Sequence, residues 1–154
     1  MNLIQRLMRV FFDLLYHPFA FAYDLVAAVV SFGKWNDWTR SAIPFISGTR
    51  ILELGHGPGH LQVELAARGF DSIAIDESAS MGRIAQRRLG SSAKLARALA
   101  QNIPFASETF DAVVSTFPSE YIFDPQTLSE ARRVLRGGGK FIILPAAFPA
   151  CGFL

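Results

Sequence analysis

Short apolar runs alternate with polar, helix-like segments along most of the chain. Ile51, Leu52 and Leu54 belong to a run of the kind that forms a parallel strand buried on both faces. Further strands are predicted at residues 72–76, 93–98, 110–116 and 140–144. Helices are predicted between them, at residues 62–68 and 79–89 and from residue 125 to the glycines at 137–139. This alternation predicts an α/β domain with a doubly wound, mostly parallel sheet.

The segment before the first predicted strand has a helical pattern. One helix is predicted at residues 19–30 and a second at residues 35–43, with Gly33 between them and Pro44 ending the second. No run of 18 uncharged apolar residues is present, so a membrane-spanning helix is not expected. Arg6 and Arg9 precede several aromatic residues, which leaves two interpretations open. Residues 1–32 either form an amphipathic helix that caps the core or lie on a membrane surface, with the aromatic face down and the arginines at the headgroups.

Composition narrows the classes of function. The chain has 154 residues, enough for one domain with a substantial core. Its formal net charge of +2 and the lack of a basic stripe give no support for a nucleic-acid partner. The single cysteine, Cys151, excludes an internal disulfide and a cysteine-rich metal site. Such cysteine usage fits a reducing, cytoplasmic location.

A glycine-rich turn follows the first predicted strand. Gly55, Gly57 and Gly59 allow a sharp turn and a close approach of a ligand to the main chain, and Pro58 suits the first turn of the next helix. A dinucleotide fingerprint, Gly-x-Gly-x-x-Gly, would need a glycine at position 60, which is His60. The spacing therefore disfavours a NAD-dependent oxidoreductase, although it predicts a nucleotide site at the carboxyl end of a strand.

A carboxylate ends the second predicted strand. Asp76 lies 17 residues beyond Gly59, and an acid at this place can accept hydrogen bonds from the ribose hydroxyls of a nucleotide. Ser78 is expected to cap the following helix, which is expected to end at Gly90. Ribose binding is the favoured role of Asp76, and simple helix capping is the alternative.

Several segments, in this order, resemble the class I S-adenosylmethionine (SAM)-dependent methyltransferases. The resemblance is to the type-11 group that includes the ubiquinone/menaquinone C-methyltransferases, and it covers residues 19–145. The matching segments are Tyr23-Asp24, Ser31-Phe32-Gly33, Glu53-x-Gly55-x-Gly57-x-Gly59, Asp76-x-Ser78-x-x-Met81, Ile103-Pro104-Phe105, Phe110-Asp111 and the turn Gly137-Gly138-Gly139.

The resemblance implies a Rossmann-like sheet with strand order 3-2-1-4-5. It also implies an N-terminal helical cap at residues 1–47 and a SAM-binding core at residues 48–154. The family normally continues with a sixth and a seventh strand, and the chain is expected to lack both, as if truncated after the fifth. The implied activity is methyl transfer from SAM, without a metal, to a small acceptor that is lipophilic or aromatic.

Site residues follow from the same resemblance. The residues expected to bind SAM are Tyr23, Glu53, Gly55, His56, Gly57, Gly59, Asp76, Glu77, Met81, Ala100, Gln101 and Thr116. Leu99 occupies the place where the family usually has an aspartate for the adenine amino group, so backbone groups near Ala100 and the side chain of Gln101 are expected to replace it. Candidate acid–base groups are Glu120, Tyr121 and His17, and loop anchoring is the alternative role of the first two.

Other hypotheses concern partners and activity. A non-catalytic SAM-binding or membrane-associated module, or an inactive methyltransferase fragment, is the alternative to an active enzyme. Residues 1–32 are candidates for peripheral contact with the inner face of the membrane. The fifth strand is expected to be an open edge, which could support a dimer.

Overall fold

The computed structural model describes residue 29 and residues 31–147. Helices and strands alternate along this part of the chain. Their bounds are α1 (Trp35–Arg40), β1 (Arg50–Leu54), α2 (His60–Ala67), β2 (Asp71–Asp76), α3 (Ala79–Leu89), β3 (Leu95–Arg97), β4 (Phe110–Thr116), α4 (Pro125–Val134) and β5 (Leu135–Leu144). The α/β prediction is therefore confirmed, and β4 has the predicted limits.

The strands form one parallel sheet with the order β3-β2-β1-β4-β5. This is the order that the resemblance implied. Ile51 is paired with Ser72 on β2 and with Ala112 on β4, so β1 lies in the middle of the sheet. The strand order reverses between β1 and β4, and open α/β sheets bind ligands in the crevice at such a point.

Apolar packing on both faces of the sheet explains the buried strands. On one face, Ile51 and Val114 pack with Leu61 and Leu65 of α2, together with Ala42. On the other face, the buried residues come from β1, β2, β4 and α4; they include Leu52, Leu54, Ile75, Phe110, Val113, Ala131 and Val134. Helices therefore cover both faces, as in a doubly wound fold.

The segment that leads into the sheet differs in part from the prediction. Helix α1 ends at Arg40 rather than at residue 43, and Pro44 lies in a separate 3₁₀-helix, Ile43–Phe45. Pro44 is tolerated there because the first turn of a helix needs no N–H from that position. The Ser41 hydroxyl donates to the Trp38 carbonyl at 2.6 Å. This side chain thereby provides a hydrogen-bond partner for a carbonyl group in the last turn of α1. Most of the predicted helix at residues 19–30 lies outside the described residues.

The N-terminal segment and the sheet share packing. Arg40 of α1 forms an ion pair with Glu64 of α2, with 2.8 Å between Nη2 and Oε1. Ala42 is buried in the same cluster as Ile51. A domain boundary at residue 47 stays a prediction. Within residue 29 and residues 31–147, the structure contains no candidate for a membrane-spanning helix.

The glycine run Gly137–Gly139 was predicted to separate a helix from the fifth strand, and this was wrong. Helix α4 ends at Val134, and β5 begins at once with Leu135, which pairs with Phe110. The next described pair joins Ala112 to Lys140, so the glycines lie in an irregular part of β5. Glycine fits such a bulge because it tolerates unusual backbone angles.

Asp111 joins β1, β4 and β5 at the amino end of the sheet. Its Oδ2 accepts the backbone N–H groups of Thr49 and Arg50, each at 2.9 Å. Its Oδ1 accepts from Arg136 Nη1 at 2.6 Å. The hydrogen bonds from Arg50 and Thr49, followed by that from Arg136, lower the pKa of Asp111 to about 2. The Phe-Asp pair at the start of β4 is thus structural at this end of the sheet.

Candidate cofactor-binding site

The candidate site lies where β1 and β4 separate at their carboxyl ends. The described β1–β4 pairing ends with Glu53 opposite Val114. The next carbonyl group, that of Leu54, accepts hydrogen bonds from Ser115 Oγ at 2.8 Å and from the Tyr121 hydroxyl at 3.0 Å. Side chains rather than a strand therefore satisfy the last carbonyl of β1, at the place where the glycine loop begins.

The glycine loop turns in the left-handed region of backbone space. Gly55, Gly57 and Gly59 have φ angles of +72°, +50° and +85°. Gly59 is the N-cap of α2, so the helix begins at His60, and Pro58 lies in the loop rather than in the first helical turn as predicted. A Cβ at position 59 would lie 3.0 Å from the Cβ of Ala85 on α3. The third glycine thus allows close packing between the loop and α3.

Asp76 connects the end of β2 to the glycine loop. Its Oδ2 accepts the Gly57 N–H at 2.9 Å, and its Oδ1 accepts the Ser78 N–H at 2.8 Å. Ser78 caps α3 as predicted, because its hydroxyl accepts the Met81 N–H. A carboxylate has about four acceptor positions, so Asp76 retains the capacity to accept from further donors.

Glu53 is a buried carboxyl group beneath the loop. Its side chain is 1% exposed, and Oε2 accepts from Gln62 Nε2 at 2.7 Å. Gln62 in turn accepts from the Ser72 hydroxyl at 3.0 Å. Burial raises the pKa of Glu53 to about 8, against the opposing effect of the Gln62 hydrogen bond. Gln62 and Ser72 were not predicted from the sequence, and a polar residue inside an apolar stripe was the only available signal.

His56 is also buried inside the loop. Its Nδ1 lies 2.6 Å from the Gly57 carbonyl oxygen, which can only accept, so Nδ1 carries a proton. Burial lowers the pKa of His56, although Asp76 opposes this effect. The imidazole is therefore neutral near pH 7, and one hydrogen bond stabilises the loop from within.

Other predicted cofactor residues surround the carboxyl ends of β2 and β3. Met81 is fully buried, and the exposed Glu77 accepts a hydrogen bond from Arg97 through its carbonyl oxygen. Gln101 Nε2 donates to Asp124 Oδ2 at 3.1 Å, which connects the loop after β3 to the cap of α4. Ala100 is half-buried in the same loop. Contact between these residues and a cofactor stays a prediction.

Aromatic side chains lie beside the carboxyl end of β4. Phe117 follows Thr116, the last residue of β4, and has a φ angle of +51°, which is rare for a residue with a bulky side chain. Its ring centroid is 4.5 Å from that of Trp35 and 6.4 Å from that of Trp38. Unusual backbone angles that the surrounding structure maintains are frequent at binding sites.

The candidate acid–base residues have different surroundings. Glu120 is exposed at the start of a 3₁₀-helix, Glu120–Phe123, whereas the hydroxyl of Tyr121 points to the glycine loop. His17 and Tyr23 lie outside the described residues. An acid–base role for any of the three candidates stays a prediction.

Comparison with known proteins identifies the family. A family model described as "Methyltransferase domain" matches residues 52–143. The demethylmenaquinone methyltransferase of Clavibacter sepedonicus is 34% identical, with 83% of this chain and 55% of the relative covered. The ubiquinone/menaquinone biosynthesis C-methyltransferase UbiE of Geotalea daltonii is 33% identical, with 82% and 59% covered.

A solved structure agrees with these relatives. The phosphoethanolamine N-methyltransferase 2 of Haemonchus contortus, in complex with S-adenosylhomocysteine, is 28% identical with a TM-score of 0.60. The similarity covers 72% of this chain and 28% of that one. The chain spans between half and two thirds of the length of the two quinone methyltransferases. The chain belongs to the SAM-dependent methyltransferase family.

Proposed function

We propose that the chain binds SAM at the carboxyl ends of β1 and β2 and transfers its methyl group to a small lipophilic or aromatic acceptor. The observation that carries the proposal is the contact of Asp76 with the glycine loop, because it brings a carboxylate and a left-handed glycine turn to one crevice. Family membership and the sequence identity of 34% and 33% with two quinone methyltransferases support the same activity.

The residues present fit the chemistry of SAM. Asp76 can accept from ribose hydroxyls, and Glu53, His56 and the loop glycines are proposed to hold the amino-acid part. Glu77, Met81, Ala100, Gln101 and Thr116 are proposed to surround the remaining cofactor, together with Tyr23. When bound, SAM supplies an electrophilic methyl group on a sulfonium. The chain needs to hold donor and acceptor in line and to exclude water.

The acceptor class rests on a separate argument. The names of the two relatives refer to demethylmenaquinone and to ubiquinone/menaquinone biosynthesis, which are quinone chemistry. In this chain, the half-buried rings of Trp35, Trp38 and Phe117 lie next to the carboxyl end of β4. Aromatic side chains contribute large apolar areas and favour stacked partners. We propose that these rings form one wall of the acceptor pocket.

Calorimetric titration with SAM tests the cofactor site. Asp76→Asn keeps one oxygen but loses the charge, so we expect SAM to bind about 10- to 100-fold more weakly. Asp71→Asn is the matched control, because Asp71 opens the same strand at its opposite end and pairs with Lys94 on the surface. The control is expected to bind SAM within about twofold of the wild-type chain.

The results separate the alternatives. A folded wild-type chain that does not bind SAM would contradict the proposal. SAM binding without transfer of labelled methyl to reduced naphthoquinones, catechols or prenylated phenols would favour a non-catalytic SAM-binding module. Co-sedimentation with anionic vesicles tests membrane contact through residues 1–32, and light scattering tests a dimer through β5. A location on the cytoplasmic side of the membrane also stays a prediction.

A further inference from the structure

The peptide unit between Leu54 and Gly55 is held from two sides of the sheet. Its N–H group donates to the Ile75 carbonyl of β2 at 2.8 Å. Its carbonyl oxygen accepts from Ser115 Oγ at 2.8 Å and from the Tyr121 hydroxyl at 3.0 Å. This peptide is the first link of the glycine loop, so its orientation sets the direction in which the loop leaves β1.

The two hydroxyl groups and the carbonyl oxygen form a small hydrogen-bond triangle. Ser115 Oγ and the Tyr121 hydroxyl are themselves 3.0 Å apart. Each hydroxyl has one proton to donate and the carbonyl has none. Only two of the three oxygen–oxygen contacts can therefore be hydrogen bonds at one time. When both hydroxyls donate to Leu54, the carbonyl oxygen uses both of its lone pairs within the protein.

Tyr121 also limits what can stand at the loop entrance. A Cβ at position 55 would lie 2.3 Å from the Tyr121 hydroxyl oxygen and 3.3 Å from its Cζ. A distance of 2.3 Å is far below van der Waals contact, so the hydroxyl lies where a side chain at position 55 would begin. Gly55 therefore satisfies two demands, a φ angle of +72° and direct contact with Tyr121.

We propose that Tyr121 is a positioning residue, whose hydroxyl acts with that of Ser115 to fix the Leu54–Gly55 peptide and thereby the loop that binds SAM. This inference rests on the proposed function, because the loop is taken to be the SAM loop. Tyr121 then acts through the backbone of residues 54 and 55, and not as the acid or base of methyl transfer.

Tyr121 links the segment that follows β4 to the glycine loop. Tyr121 belongs to the 3₁₀-helix between β4 and α4, a few residues after Phe117. The proposed acceptor wall and the proposed cofactor loop are thus joined through one short segment. A movement of residues 117–123 on acceptor binding would be transmitted to the Leu54 carbonyl through the Tyr121 hydroxyl.

Titration with SAM tests the positioning role. Tyr121→Phe removes only the hydroxyl, and we expect SAM to bind about three- to tenfold more weakly, because one hydrogen bond that orders the loop is lost. Ser115→Ala is expected to weaken binding in the same range. Ser119→Ala is the control, since Ser119 is exposed in the same segment and its side chain does not cap the 3₁₀-helix.

A double-mutant cycle in urea unfolding tests the contact without any ligand. Gly55→Ala is expected to destabilise the wild-type chain more than the Tyr121→Phe variant, because the atom that its Cβ meets is absent from the variant. The backbone strain at position 55 is the same in both backgrounds and cancels. Additive effects of the two substitutions would overturn the proposed contact.

The combined outcomes distinguish the two proposals. If the wild-type chain does not bind SAM, the proposed function is overturned, and the positioning role is overturned with it. If the wild-type chain binds SAM and Tyr121→Phe binds it equally well, only the positioning role is overturned. A catalytic Tyr121 would instead leave SAM affinity unchanged and lower kcat.

Discussion

The carboxyl group of Glu53 and the side-chain amide of Gln62 meet at 2.7 Å in a region closed to solvent, where each residue is 3% exposed or less. Glu53 is the next-to-last residue of β1, and Gln62 lies in the first turn of α2. This hydrogen bond therefore crosses the glycine loop at its base. Because burial disfavours the ionised carboxylate, Glu53 retains its proton to a higher pH than a solvent-exposed glutamate.

The first prediction concerns the dependence of stability on pH. Burial raises the pKa of Glu53 in the folded state to about 8, whereas the ordinary pKa is 4.5. Between these values the folded state holds a proton that the unfolded state has released, so the free energy of unfolding falls as pH rises. The contribution of Glu53 to this slope is at most about 1.4 kcal/mol per pH unit.

Urea unfolding of the wild-type chain and of Glu53→Gln at several values between pH 5 and pH 8 measures this contribution. The Gln variant cannot ionise, so its stability should vary less with pH. Glu77→Gln is the control, because Glu77 is exposed beside the same crevice. Parallel pH curves for the wild-type chain and Glu53→Gln would contradict the assignment.

The second prediction concerns Asp111 at the opposite end of the sheet. Asp111→Asn loses charge-assisted hydrogen bonds to Thr49, Arg50 and Arg136. We therefore expect the free energy of unfolding at pH 7 to fall by about 1–3 kcal/mol. The folded pKa of about 2 lies below the ordinary value of 3.8, so the stabilisation is present above pH 3.8 and is lost as pH falls towards 2.

Chemical unfolding at pH 7 and in the acid range measures the effect of Asp111. Asp37→Asn is a suitable control, since Asp37 pairs with Arg40 within one helix and 69% of its side chain is exposed. Its substitution should change stability by less than about 0.5 kcal/mol. Equal losses for the two variants would show that the contacts of Asp111 contribute no more than a surface ion pair.

The third prediction separates backbone strain from steric contact in the glycine loop. Gly59→Ala places a Cβ 3.0 Å from that of Ala85, in addition to strain at φ +85°. Gly69→Ala has similar strain at φ +78° but meets no atom within 4 Å. We expect Gly69→Ala to lower the free energy of unfolding by about 1–2 kcal/mol. Gly59→Ala is expected to lower it by about 1–3 kcal/mol more.

Thermal and urea unfolding of both alanine variants checks this difference. SAM titration provides a second measurement. The affinity for SAM should fall for Gly59→Ala and remain unchanged for Gly69→Ala. If Gly59→Ala lowers the free energy of unfolding no more than Gly69→Ala does, α3 moves away from the loop easily. Gly59 is then needed only for its φ angle.

The fourth prediction concerns the rings beside β4. Trp35 and Phe117 have centroids 4.5 Å apart in a tilted arrangement, and aromatic pairs of this kind contribute about 0.5–1.5 kcal/mol beyond area burial. A double-mutant cycle with Trp35→Leu and Phe117→Leu should give a coupling energy in that range. The Trp38–Phe117 cycle should give less, because those rings are 6.4 Å apart. Coupling energies in the reverse order would contradict this arrangement of α1.

The sequence predicted the sheet well because local and long-range signals agreed. The runs around Leu52 and Val113 have consecutive apolar residues that face both sides of the sheet, as expected of strands buried on both faces. Ser78 caps α3 as predicted, because capping depends on the side chain and on backbone groups two or three residues away. The strand order, however, came from resemblance to a family and not from periodicity.

Predictions that depended on contacts distant in sequence were less successful. The start of β5 at Leu135 is determined by pairing with Phe110, whereas the glycine run alone suggested a turn. The place of Gln62 in an apolar stripe indicated burial, but nothing in the sequence identified Glu53 as its hydrogen-bond partner. The Tyr121–Leu54 hydrogen bond joins residues 67 positions apart, and only the fold reveals it.

The β1–β4 interface is held by side chains at both ends, by Asp111 with Thr49 and Arg50, and by Ser115 with Leu54. These partners come from two continuous segments of the polypeptide, on either side of the exposed residues 106–107. A chain divided after Ser107 would yield two fragments that carry complementary parts of this interface. Such a division is the basis of a split reporter, in which reassembly of the two fragments would restore the crevice between β1 and β4.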